Sequence, residues 1–223
     1  MIEVGLKISP DINRAVRALA ATLIKRQLPG VTDVVPAFAS VALYYRPEAL
    51  AGFSPDASPY ELLSAQVQAI VAEGISDTTG EPRTIDIPVC YEGEFAPDLD
   101  EVATLCELSR ERVIELHCAS GHFVYMLGFA PGFAYIGGLD KHLTVPRRTT
   151  PRTRIPAGSV AIADNQSGIY PLQLPGGWNV IGRTPLKMFD PNRDAPCLLL
   201  PGDRVRFVAI SSDEFQRMVK AQS

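Results

Sequence analysis

Two helix starts of one kind, Ser9-Pro10-Asp11 and Ser58-Pro59-Tyr60-Glu61, flank a pair of β-rich runs at the front of this chain. Each puts serine at the N-cap and proline at the first helical position, where a missing N–H is harmless. Glu61 stands three residues after Ser58, the spacing at which its carboxylate reaches back to the cap backbone. Behind the first start, Ile12, Val16, Leu19, Ala20 and Leu23 recur on one helical face, and Pro29-Gly30 stops the run. Behind the second, Leu63, Val67, Ile70 and Val71 do the same, and Gly74 with the polar stretch Ser76–Pro82 ends it.

Strand patterns fill the gaps. Met1–Val4 is a short candidate, Val31–Pro36 and Ser40–Arg46 are β-rich, and Ile85, Ile87, Val89 and Tyr91 alternate with Thr84, Asp86 and Pro88. Pro88 points to an edge or a bulge, because it cannot donate to a ladder. The order β-α-β-β-α-β over residues 1–91 is a ferredoxin-like pattern, with two helices covering one face of a four-stranded sheet. This part carries no histidine and no obvious chemistry. A scaffold or docking role fits it better than a catalytic one.

From Glu92 onward the texture changes. Asp98-Leu99-Asp100-Glu101 is a cap for a short helix ending near Cys106, and Ser109 caps another with Val113, Ile114 and Leu116 on its buried side. After Ser120, glycine and proline crowd in, and six short apolar runs lie between them: His122–Phe129, Ile155–Ala163, Ile169–Leu174, Trp178–Ile181, Cys197–Leu200 and Val205–Ile210. Short strands with frequent turn signals predict an antiparallel sandwich or barrel over residues 92–223. Asp213–Lys220 reads as a closing helix. The whole is α+β with two domains, 1–91 and 92–223.

The 21 Lys+Arg against 25 Asp+Glu give a formal net charge of −4, so a general nucleic-acid binder is disfavoured. No stretch approaches the roughly 18 apolar residues of a membrane span, and the N-terminus lacks the apolar core of a secretory signal. The expected compartment is the cytoplasm, where Cys90, Cys106, Cys118 and Cys197 stay reduced. Their spacing offers no CxxC pair, so small buried hydrophobes fit better than a metal site.

One local feature runs against the acidic total. Arg147, Arg148, Arg152 and Arg154 fall within eight residues, stiffened by Pro146, Pro151 and Pro156. Clustered guanidinium forks suit carboxylate or phosphate. The competing reading is a solvated face paired with the protein's own acids. Arg183 joins the cluster if its segment folds over it. His117 is a candidate general acid or base, or else a core histidine. Gln166 and Tyr170 can orient a polar ligand. Arg148, Arg152 and Gln166 are expected to line one pocket. Arg152, held on the stiff backbone after Pro151, is the arginine whose loss should cut activity and spare the fold. No GxxxxGK[ST] loop, GxGxxG, HExxH or GxSxG is present, so residue chemistry alone supplies no reaction.

Three segments supply more. Gly128–Leu139 (GFAPGFAYIGGL), Val145–Pro185 (VPRRTTPRTRIPAGSVAIADNQSGIYPLQLPGGWNVIGRTP) and Val34–Tyr45 (VVPAFASVALYY) together resemble the KipI family, also described as allophanate hydrolase subunit 1, as the B subunit of 5-oxoprolinase or as carboxyltransferase subdomain C and D. Members usually carry more residues before the first strand than Met1–Val4. The resemblance implies a ferredoxin-like domain followed by a cyclophilin-like β-barrel. It implies one subunit of an ATP-dependent 5-oxoprolinase that opens 5-oxo-L-proline to L-glutamate. Its partners would be a C subunit of KipA type and an A subunit of lactam-utilisation type, with ATP used by the complex and no metal in this chain. Other branches imply an inhibitor of a sensor histidine kinase, or an accessory of urea or allophanate breakdown. In the 5-oxoprolinase reading His117, Arg148, Arg152 and Gln166 are the catalytic candidates. Arg147, Arg154, Tyr170 and Arg183 are the anion- or substrate-binding candidates.

Overall fold

The computed structural model describes residues 1–50, 57–75 and 80–221, in two compact units, Met1–Glu81 and Pro82–Ser223. In the first, β1 (Ile2–Glu3) and α1 (Pro10–Arg26) precede the hairpin of β2 (Val31–Pro36) and β3 (Ser40–Tyr45), and α2 (Pro59–Ala72) follows. The serine caps form as the sequence predicts. Ser9 accepts from the Ile12 N–H, and Ser58 and Glu61 make the reciprocal capping box. The chain leaves α1 earlier than Pro29, through Gln27 in the left-handed region. The stretch Ser76–Pro82 lies partly outside the described residues. Val16, Leu19, Leu23, Val41, Leu63, Val67 and Ile70 form this unit's core.

The expected four-stranded sheet is not what forms. Among its described residues, the first unit holds three antiparallel strands in the order β1-β3-β2. The fourth candidate, β4 (Thr84–Cys90), belongs to the second unit, so the division falls between Glu81 and Pro82 rather than after Tyr91. The reason is its pairing partner. β4 runs parallel to β12 (Arg204–Ile210) through seven consecutive pairs, and it buries Ile87 and Val89 completely in the second core. An alternating strand fits either sheet equally well, and its partner lies far downstream. Its opposite side pairs with β11 (Asn179–Arg183) only at Cys90↔Arg183, which leaves room for Pro88.

The second unit is a closed seven-strand barrel. Its remaining strands are β5 (His122–Leu127), β6 (Ala134–Gly137), β8 (Ser159–Ala163) and β9 (Gln166–Ile169), and its order is β11-β4-β12-β5-β6-β9-β8, with β8 pairing back onto β11. Closure gives each of the seven strands a partner on both sides, although β4 meets β11 at a single pair. A two-stranded sheet of β7 (Arg152–Ile155) and β10 (Leu174–Gly176) lies outside it, and α3 (Leu99–Leu105), α4 (Arg110–Ala119) and α5 (Ser212–Ala221) complete the unit. All five residues of β8 are buried because both its faces are covered. Val160 and Ile162 join the barrel core, while Ala161 and Ala163 pack with Phe133, Ile155, Tyr170 and Trp178. Two expected strands are absent. Residues between Ile169 and Leu174 connect β9 to β10, and Cys197 makes only an isolated bridge with Phe189. The cysteines are free thiols, with Cys90 buried.

Candidate functional site: an arginine cluster and its neighbours

The arginine segment passes between β6 and β8 and enters the barrel's outer layer at β7. Arg148 and Arg152 converge there on one acid. Arg152 donates from both terminal nitrogens to Asp98, at 2.6 Å each, and Arg148 donates to Asp98 at 2.8 Å and to Glu101 at 2.7 Å. The Val180 N–H is a third donor residue, at 2.6 Å, and Asp98 returns its own N–H to the Val180 carbonyl. Asp98 precedes α3 as the sequence expects, but its side chain makes no cap hydrogen bond. The arginines consume it instead. At 2% exposure its charge is held by cations and an amide rather than by water. Arg148 is also pinned through its backbone N–H to the Gly177 carbonyl. The Asp98 carboxylate is therefore fully engaged, while the buried Nε of Arg148 has no hydrogen-bond partner among the described residues.

Around it lies an aromatic layer. Arg147 sits over the Trp178 ring at 5.8 Å and is 3.8 Å from Asp164. Phe133 meets Tyr135, Tyr170 and Trp178 edge-on. Phe129 stands beside Phe133, exposed, with a left-handed backbone at φ 66°, unusual for a bulky residue. Tyr170 is 1% exposed and hydrogen-bonds the Trp178 backbone, and burial pushes its hydroxyl up to about 12. It packs the outer layer and has no face open to a ligand. Gln166 begins β9, partly exposed, and shares no hydrogen bond or ion pair with either Arg148 or Arg152 among the described residues. Of the three residues expected to line one pocket, Arg148 and Arg152 meet at Asp98. Arg154 is exposed.

His117 is elsewhere and fully buried. Its Nδ1 faces the Tyr91 hydroxyl at 2.7 Å, its Nε2 faces Ser167 Oγ at 3.2 Å, and its ring stacks on Phe207 at 4.3 Å. His122 reaches the His117 carbonyl at 2.7 Å. Burial holds both rings below the ordinary histidine range. With both nitrogens occupied and no exposure, His117 has no position for a substrate, so the core reading replaces the acid–base one. Arg183 lines a separate cleft and donates from Nε to the Ala157 carbonyl at 2.9 Å.

Sequence reasoning missed Asp98 and Glu101 as partners and Trp178 as a platform for Arg147. Asp98 resembled an ordinary helix cap, and nothing local connects it to arginines some fifty positions later. No cluster of three or more His, Cys, Asp or Glu able to hold a metal occurs among the described residues.

A family profile described as "Carboxyltransferase domain, subdomain C and D" matches residues 1–199. The chain belongs to this family. Among curated proteins it is 44% identical over 217 residues to the 5-oxoprolinase B subunit of Bacillus subtilis, spanning 96% of this chain and 90% of that one. It is 42% identical over 208 residues to the 5-oxoprolinase B subunit of Escherichia coli O157:H7, spanning 92% and 91%. Among solved structures, TTHA0988 superposes with a TM-score of 0.79 at 39% identity, over 95% of this chain but only 39% of that longer one. The urea amidolyase of K. lactis superposes at 0.75 with 20% identity, covering 97% of this chain and 14% of that one, which shows a common fold. This fold thus also occurs as one part of larger molecules.

Proposed function

We propose that this chain is the B subunit of an ATP-dependent 5-oxoprolinase, which opens 5-oxo-L-proline to L-glutamate only when assembled with its partners. The observation that carries this reading is the 44% and 42% identity, along nearly the full length, to proteins of that name. In the reaction water adds to the lactam carbonyl carbon. The ring C–N bond breaks, the carbon becomes a carboxylate, and the nitrogen leaves as an amine. A lactam is a stabilised amide, so coupling to ATP is chemically reasonable.

The chain's own residues do not fit a phosphate site at the arginine cluster. Arg152 is paired with Asp98, Arg148 is paired through Nη1 with Asp98 and Glu101, and the sequence has no phosphate loop. The nucleotide accordingly belongs with the partners, a C subunit of KipA type and an A subunit of lactam-utilisation type. Of the candidate arginines, Arg154 and Arg183 pair with no carboxylate among the described residues and are left to meet an anion. Arg147 presents its charge over Trp178 in the same layer. No helix among the described residues is long and apolar enough to cross a membrane, and the proposed compartment is the cytoplasm. Disrupting the coding sequence should raise cellular 5-oxoproline. An unchanged level would contradict the assignment.

A further inference from the structure

We infer that the cleft beside Arg183 is a binding site for a small monocarboxylate with a compact apolar body. The cleft has a volume of about 540 Å³, within the range of small-molecule pockets. Its walls come from the turn at Phe95, the Ala157–Gly158 turn, the segment Arg183–Lys187, and α5 through Phe215 and Val219.

Three features define its chemistry. First, the guanidinium of Arg183 is half-buried and held at one point only, Nε to the Ala157 carbonyl. Its two terminal nitrogens meet no carboxylate among the described residues, whereas Arg148 and Arg152 are both ion-paired with Asp98. A guanidinium fixed at Nε presents its remaining edge in a set direction, the arrangement that takes a carboxylate through two parallel hydrogen bonds. Second, the other cation in the cleft, Lys187, is engaged by Asp190 at 3.0 Å, and the cleft's one lining carboxylate, Glu94, forms no ion pair with Arg183, whose charge is left for a ligand. Third, Phe95 and Phe215 pack at 4.4 Å beside it and supply an apolar wall for the ligand's body. The turn that holds Arg183 admits no side chain at Gly158. Its φ is +81°, and an added Cβ would lie 2.4 Å from the Thr184 carbonyl oxygen.

5-Oxo-L-proline has this shape, one carboxylate on a five-membered ring, and its choice as a probe rests on the proposed function. The test is amide chemical-shift titration of the full chain with three probes: 5-oxo-L-proline, cyclopentanecarboxylate and 5-oxo-L-prolinamide. The expected result is saturable shifts at Gly158, Thr184 and Gln216 with a carboxylate, none with the amide, and at least tenfold weaker binding in Arg183→Gln. Val219→Trp, which fills the cleft from α5 and leaves Arg183 in place, should weaken binding equally, and the spectrum of each variant reports its fold. Binding of cyclopentanecarboxylate without 5-oxo-L-proline would support the cleft while counting against the proposed function. No shifts with either carboxylate, equal binding of the amide, or unchanged binding in both variants would overturn the inference.

Discussion

Arg152 holds Asp98 in a two-pronged grip, Nη1 to Oδ2 and Nη2 to Oδ1, and the carboxylate it holds is almost wholly out of water. Asp98 also takes the Val180 N–H of β11, so the grip ties the start of β7, the start of α3 and a barrel strand to one charge. The arginines that looked most like chemistry in the sequence are therefore built into the fold.

Removing the acid should expose this directly. Asp98→Asn leaves two guanidinium groups facing a neutral amide in a partly dry site. The expected loss is about 3–5 kcal/mol in urea denaturation, the usual cost of breaking a buried pair. Arg152→Ala should cost less, about 2 kcal/mol, because Arg148 and Val180 still hold Asp98 and the arginine is partly solvated. Arg152→Lys should not restore it, since an ammonium cannot make the parallel pair. Unchanged stability in all three would return the cluster to a solvated or catalytic role.

The two buried histidines predict an acid-sensitive fold. Both rings are held below 6.5 in the folded protein, chiefly by burial, while the unfolded chain binds protons near that pH. Unfolding therefore takes up protons once the pH falls below about 6.5, and stability declines from there downward. The slope should be about 1.4 kcal/mol per pH unit for each ring that stays neutral, or roughly twice that for both. His117→Gln should make the slope below pH 6.5 shallower, whatever its effect on absolute stability. A pH-independent stability in that window would refute the buried, neutral assignment.

Gly138 and Gly93 separate backbone strain from collision. Both have positive φ, +83° and +49°, but a Cβ at Gly138 would sit 2.2 Å from the Gly121 carbonyl oxygen, and at Gly93 it would meet nothing within 4 Å. Gly93→Ala should cost about 1 kcal/mol, from conformation alone. Gly138→Ala should cost about 3 kcal/mol or more, because strand-end backbone has to move. Thermal denaturation of the two variants tests this, and equal losses would contradict it.

Local chemistry was the part of the fold open to reading from residues. The caps at Ser9, Ser58 and Ser109 and the closing helix α5 follow from two- to four-residue patterns, and the structure forms them. Long-range pairing was hidden. The alternation of Ile85, Ile87 and Val89 says that β4 has a buried face but not which sheet supplies it, and the answer lies with β12. The same distance hid the site. The basic segment from Arg147 to Arg154 was visible as charge, yet its counter-charge at Asp98 sits in what looks like a helix cap. His117 could be weighed only between two roles until the Tyr91, Ser167 and Phe207 contacts decided it.

The central claim is that this chain serves 5-oxoprolinase chemistry as a dependent member of a complex. Its most direct test is 5-oxo-L-proline-dependent ATP hydrolysis and glutamate release, measured for this chain alone, for its partners without it, and for all of them together. Activity only in the complete mixture is the predicted result. Turnover by the rigorously purified single chain, or full turnover by the partners without it, would contradict the account.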